Sequence, residues 1–157
     1  MKRKGFITTI ALLTLVAAGY VSVAPVSAND ARNARNGQLH IQKDCTGYNG
    51  AAGGHCTVTL SNFAGISANS LILYSQVLGV PAGMLDSNIV LDAGNGNRAV
   101  GRCTLELATA RGLCTLSDGT GQLAGFTARL DVSLLSGNIW AWDGTYSFNP
   151  LPPKGPQ

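Results

Sequence analysis

Four cysteines, arranged as two pairs of equal spacing, limit what this chain can fold into. Cys45 and Cys56 are 11 residues apart, and so are Cys103 and Cys114. Two positions at that spacing face each other across a hairpin when the turn lies midway between them. Four cysteines allow three pairings, and we predict the two local ones, because each closes a short loop without requiring distant strands to meet.

A metal site is the other common use of four cysteines. Zinc sites usually place two ligands within about five residues of one another. Neither Cys45 and Cys56 nor Cys103 and Cys114 meet that condition. The spacing therefore predicts disulfides and no metal, and no motif in the chain indicates a cofactor.

The N-terminal segment has the pattern of an export signal. Lys2, Arg3 and Lys4 precede an apolar stretch over residues 6–23, and Val26-Ser27-Ala28 is a small-residue cleavage pattern. The strongly apolar part, roughly residues 7–18, is shorter than the roughly 20 residues of a membrane span. We predict cleavage after Ala28, export to the periplasm or the extracellular space, and no stable membrane anchor afterwards. Disulfides persist in such oxidising compartments, in agreement with the cysteine pairs.

The predicted mature chain is electrically balanced. Residues 29–157 contain eight basic and eight acidic side chains, so the basic character of the full sequence comes from its first residues. A nucleic-acid binder needs a cluster of Lys and Arg to displace counterions from phosphate. No such cluster is present in residues 29–157, which argues against nucleic acid as a partner. The length of this segment suits one domain.

The domain is expected over residues 38–148. Residues 29–37 are polar and predict a flexible leader, and the proline-rich segment 149–157 predicts a disordered tail. Between them, short runs of Val, Ile, Leu and Thr alternate with Gly, Asn, Asp and Pro. This pattern predicts eight β-strands over residues 38–44, 55–63, 70–78, 87–93, 97–107, 113–117, 123–134 and 138–148, with a short helical turn near residues 81–85.

Period-2 alternation indicates one apolar face along the later strands. Phe126, Ala128 and Leu130 share one face of the seventh strand, and Trp140, Trp142 and Tyr146 share one face of the eighth. Eight antiparallel strands with this pattern form a sandwich or a barrel, and a barrel leaves no exposed edges. The predicted fold class is therefore all-β, an eight-stranded antiparallel barrel with two hairpin disulfides.

Two segments resemble a known superfamily. The run from Cys114 to Arg129, CTLSDGTGQLAGFTAR, followed by WDGTYSF from Trp142 to Phe148, is similar to the C-terminal half of the allene oxide cyclase and dirigent barrels. The resemblance covers about 35 residues and consists of a Gly-x-Gly turn, an aromatic or apolar residue, and a last strand with an aromatic.

The resemblance implies an eight-stranded barrel with an apolar lumen, often dimeric or trimeric, and cofactor-free cyclisation or coupling of reactive hydrophobic molecules. No catalytic residue of that superfamily can be placed on this chain, so the catalytic residues are unknown. His40 and His55 have no carboxylate at metal-ligand spacing and are expected to be structural or surface residues. Asp118-Gly-Thr-Gly121 is interpreted as a hairpin turn.

Five aromatic residues are candidates for a ligand-binding lumen. Tyr74, Phe126, Trp140, Trp142 and Tyr146 would supply aromatic walls for an apolar ligand, or would simply fill the core of a narrow barrel. Three functions therefore stay open: a binding protein for a hydrophobic small molecule, a cofactor-free cyclase or isomerase, and a structural protein with a packed barrel.

Overall fold

A computed structural model describes residues 35–149 of the protein. The predicted signal (1–28), most of the leader and most of the tail lie outside these residues. The strands are β1 (Asn36–Asp44), β2 (His55–Ser61), β3 (Leu71–Tyr74), β4 (Met84–Asp92), β5 (Arg98–Glu106), β6 (Arg111–Ser117), β7 (Phe126–Ser136) and β8 (Ile139–Phe148). A 3-10 turn covers Gly121–Leu123, and the described part contains no helix long and apolar enough to cross a membrane.

The eight strands form a closed antiparallel barrel, which confirms the predicted fold class. Each strand pairs with the next along the chain, and β1 also pairs with β8 over its whole length, from Asn36 opposite Ser147 to Asp44 opposite Ile139. Closure therefore satisfies the hydrogen-bonding groups of the first and last strands, which would otherwise be exposed edges.

The strand boundaries differ from the prediction at several places. β1 begins at Asn36, inside the predicted leader, because β8 supplies a pairing partner for these polar residues. The predicted helical turn near residues 81–85 is wrong: β4 begins at Met84 and pairs with Glu106 of β5. β3 is only four residues long, since the chain leaves the sheet after Tyr74.

Both predicted disulfides are confirmed. Cys103 and Cys114 lie directly opposite each other on β5 and β6, whereas Cys45–Cys56 closes the glycine-rich connection between β1 and β2. The cysteines of β5 and β6 share the inward face with Leu105 and Leu116 and are almost completely buried. The disulfides therefore lie on the wall of the lumen.

The two ends of the barrel are built differently. We call the end formed by residues 62–70, 93–97 and 118–125 the packed end, because Phe63, Phe126, Tyr146 and Phe148 fill it with ring centroids 4.8 to 6.1 Å apart. Ile66 and Leu123, from the connecting segments of that end, are fully buried. The opposite end, formed by residues 45–54, 75–83, 107–110 and 137–138, is called the open end.

Candidate functional site

A cavity of about 210 Å³ lies inside the barrel at the open end. Every strand contributes at least one side chain to its wall, and the wall is mostly apolar. Its aliphatic part consists of Leu78, Leu85, Leu105, Leu107 and Val132, and its aromatic part of Tyr48, Tyr74 and Trp140. Sites for drug-sized ligands usually measure roughly 300–1,000 Å³, so this cavity suits a small molecule or one end of a longer one.

The two disulfides form part of the cavity wall. All four half-cystines contribute to the lining, and Cys56, Cys103 and Cys114 are buried. Because each bridge joins positions on or next to adjacent strands, it limits the motion of the wall on its side of the lumen. The cavity is therefore bounded by covalent cross-links as well as by the sheet.

One basic residue, Lys43, lies in this mostly apolar wall. Lys43 lines the cavity with only 3% of its surface exposed. Its Nζ donates a hydrogen bond to the Tyr74 hydroxyl, and it lies 4.3 Å from the centroid of the Trp142 ring. Burial lowers the pKa of Lys43 from 10.5 to about 7, because removal from water penalises the charged ammonium.

The local sequence explains why Lys43 points inward. It follows Leu39 and Ile41 at intervals of two, and both are buried on the inner face of β1. The register between β1 and β2 shifts between Gln42 and Lys43, which is a β-bulge. The extra residue, Thr59, belongs to β2, so the alternation of β1 continues unbroken to Lys43.

Two tyrosines extend the polar part of the site. The Tyr48 and Tyr74 ring centroids are 4.9 Å apart. Burial raises the pKa of Tyr74, with a smaller contribution from neighbouring Tyr48, and burial also raises the pKa of Tyr48. Both hydroxyls therefore stay protonated near neutral pH, and the buried Tyr48 hydroxyl has no hydrogen-bond partner within residues 35–149.

Five exposed apolar residues lie at the open end. Val77, Val80, Leu107, Leu134 and Leu135 are each 39 to 66% exposed and lie on the connecting segments or strand ends there. We call these five residues the apolar rim. Exposed apolar residues that gather at one place often mark a binding site, whereas isolated ones need no explanation.

The structure separates the five aromatic candidates into two groups. Tyr74 and Trp140 line the cavity. Phe126 and Tyr146 belong to the aromatic cluster of the packed end, and Trp142 is fully buried beneath Lys43. The lumen is thus filled over one half and hollow over the other.

Lys43 did not emerge from the sequence as a candidate. The signal was its position two residues after Ile41 on an otherwise alternating strand, which places a lysine on the inner face. His40, on the opposite face of β1, pairs with Asp143 of β8 at 2.5 Å between Nδ1 and Oδ1. Those side chains are 36% and 56% exposed, so the pair belongs to the outer surface.

Comparisons of this chain with family models, with curated proteins and with solved structures gave no match. The functional interpretation therefore depends on the geometry and chemistry of the cavity.

Proposed function

We propose that this protein binds a small, mostly apolar molecule with one polar group in the cavity at the open end. The observation that carries the proposal is the Lys43–Tyr74 hydrogen bond at the wall of an otherwise apolar cavity. Apolar walls with a few convergent polar groups are the usual composition of small-molecule sites.

The Tyr48 hydroxyl supports the same assignment. It belongs to the cavity lining and has no hydrogen-bond partner in the described part of the chain. A buried polar group without a partner costs about 1–3 kcal/mol, so a ligand that supplies one gains that free energy on binding. The polar group of the ligand therefore lies at the tyrosines, and its apolar part contacts the leucines.

The apolar rim suggests the route of entry. Leu107 belongs both to the rim and to the cavity lining, so apolar surface continues from the outside into the lumen. Among residues 35–149 the packed end offers no comparable route, because its aromatic cluster fills the lumen. A ligand with a short hydrocarbon chain enters by this path without crossing a polar barrier.

Titration calorimetry with 1-hexanol tests the proposal. Leu105→Phe places a larger side chain in the cavity and is expected to weaken hexanol binding at least about tenfold. Val100→Phe is the matched control, because Val100 lies on the same strand with 42% of its surface exposed outside the barrel. Equal affinities for both variants would contradict binding in the cavity, as would no binding to the unmodified protein.

A cofactor-free cyclase or isomerase of the allene oxide cyclase or dirigent type is a second candidate. It needs an acid or base inside the lumen, and Lys43 with its pKa near 7 is suited to proton transfer. Ring opening of a short-chain alkyl epoxide, followed by gas chromatography, tests this function. Equal rates for the protein and for Lys43→Met would reject it.

Export to the periplasm or outside the cell is part of the proposal. Residues 1–28 lie outside the described part of the structure, and the two disulfides are compatible with an oxidising compartment. Intact mass measurement of the protein recovered outside the cytoplasm tests it. A mass that includes residues 1–28 would contradict cleavage after Ala28.

A further inference from the structure

Lys43 is a buried primary amine without a charge partner among residues 35–149. The salt bridges within residues 35–149 join His40 to Asp143, Arg98 to Asp92 and Arg102 to Asp86, and none includes Lys43. Lysines are rarely buried without a paired carboxylate, and they normally extend along apolar surface to bring the amine into water. A stable structural role for Lys43 would be better served by an apolar side chain.

The surroundings of Nζ favour the neutral amine. In the described part of the chain it contacts the Tyr74 hydroxyl and the face of Trp142. The other titratable group nearby is Tyr48, whose ring centroid lies 4.9 Å from that of Tyr74. Since both tyrosines are neutral near pH 7, no negative charge in the described part of the chain stabilises the ammonium. Neutral lysine amines in apolar pockets are nucleophiles toward carbonyl groups.

We propose that Lys43 captures a small apolar aldehyde in this cavity as a reversible imine. This inference rests on the proposed function, because it specifies the ligand class of the same cavity. The Nζ lone pair attacks the carbonyl carbon, and a proton moves from nitrogen to oxygen to give a carbinolamine. Loss of the hydroxyl group as water then forms the C=N bond, so the amine and the aldehyde yield the imine and one water molecule.

The neighbouring side chains have defined roles in this step. The Tyr74 hydroxyl, hydrogen-bonded to Nζ, is placed to pass a proton between nitrogen and the departing oxygen. The Trp142 ring, 4.3 Å from Nζ, stabilises the positive charge of a protonated imine. The leucine-lined wall holds the hydrocarbon chain and limits access of the water that would hydrolyse the product.

Reductive trapping with hexanal and cyanoborohydride at pH 7 tests the inference on the exported protein. The sequence contains few lysines, and residues 29–157 include only Lys43 and Lys154, which makes Lys154 an internal reference. An ordinary lysine with a pKa near 10.4 is almost completely protonated at pH 7, so Lys43 is expected to be alkylated at least about tenfold faster. Peptide mapping by mass spectrometry measures both rates in one sample.

Three variants sharpen the test. Lys154→Arg should leave the trapping rate at Lys43 unchanged, and Lys43→Met should abolish rapid trapping. Tyr74→Phe removes only the hydroxyl and should slow trapping at Lys43 without changing the slow reaction at Lys154. An unchanged rate at Lys43 in Tyr74→Phe would refute the role of that hydroxyl.

The outcomes separate this inference from the proposed function. Hexanol binding together with equal trapping rates at Lys43 and Lys154 would overturn the imine and leave the binding function intact. Hexanoate binding much tighter than hexanol, without rapid trapping, would identify a carboxylate ligand held by the ammonium and would also overturn the imine. Absence of hexanol binding with equal trapping rates would refute both.

Discussion

Nζ of Lys43 lies 4.3 Å from the centroid of the Trp142 ring, and the two residues belong to β1 and β8, the strands whose pairing closes the barrel. The ring face offers the amine a partial substitute for water, since a cation over Trp contributes about 0.5–2 kcal/mol. This does not replace a carboxylate. The site therefore combines barrel closure with an amine that is costly to protonate.

The contribution of Lys43 to the stability of the protein should rise as pH increases from about 7 to about 10.5. In this window the unfolded chain keeps Lys43 protonated, while the folded chain, in which the pKa is about 7, releases the proton. The gain is at most about 5 kcal/mol, at about 1.4 kcal/mol per pKa unit. Urea unfolding measured across this range of pH checks the prediction. Disulfide exchange at high pH does not interfere, because all four cysteines are paired and none supplies a thiolate.

Lys43→Met is the matched variant for that measurement. Its free energy of unfolding should vary little from pH 7 to about 10, and at pH 7 it should exceed that of the unmodified protein by about 1–3 kcal/mol after the lost Tyr74 hydrogen bond is included. Above pH 10 both proteins should lose stability, because the raised pKa of Tyr74 keeps it neutral only in the folded state. A parallel pH dependence in the two proteins would contradict the assignment.

The two disulfides offer a matched comparison, because both join residues 11 positions apart. Loss of either bridge through paired Cys→Ala changes should cost about 3 kcal/mol from the entropy of the unfolded chain. Removing Cys103–Cys114 should cost more, since both of its cysteines are buried on the lumen wall, whereas Cys45 is partly exposed. Thermal unfolding of the two double variants gives the difference, and equal losses would show that the greater burial of Cys103–Cys114 adds no stability.

The two tryptophans of β8 should respond differently to truncation. Trp142 is fully buried, so Trp142→Ala should lower the free energy of unfolding by about 3–5 kcal/mol. Trp140 is partly exposed on the cavity wall, so Trp140→Ala should cost less stability and weaken hexanol binding more. Urea unfolding and calorimetry on both variants decide this, and the reverse order would place the binding cavity elsewhere in the lumen.

Gly144 occupies a position where no side chain fits. A Cβ atom there would lie 2.0 Å from the carbonyl oxygen of Arg129 on the neighbouring strand, so Gly144→Ala should destabilise the barrel by more than about 2 kcal/mol. Gly47→Ala is the control, because nothing lies within 4 Å of a Cβ at that position. Similar melting temperatures for the two variants would contradict the close strand approach at Gly144.

The sequence predicted the features that depend on neighbours along the chain. The pairing of Cys103 with Cys114 follows from one hairpin, and the buried face of β7 follows from period-2 alternation. Boundaries were less accurate where the decisive partner is distant, as for Asn36, which is a strand residue because Ser147 lies opposite it.

The residues of the lumen also show the difference between what sequence neighbours determine and what distant partners determine. Of the aromatic candidates, Tyr74 and Trp140 line the cavity, whereas Phe126 and Tyr146, with the same aromatic character and the same inward face, fill the packed end. Alternation predicts that a side chain points into the lumen, but it does not predict how far that side chain lies from either end of the barrel. Depth depends on which residues cover each end, here Ile66 and Leu123 at the packed end.

The sequence by itself therefore determined the succession of antiparallel strands, the two local disulfides and the inward apolar face, because hairpins and alternation are short-range properties. Only the tertiary structure decided the register in which β1 pairs with β8, the division of the lumen and the chemical state of Lys43. Its amine meets Tyr74 from β3 and Trp142 from β8. Burial at that meeting point lowers its pKa, and burial is a property of the closed barrel rather than of any single strand.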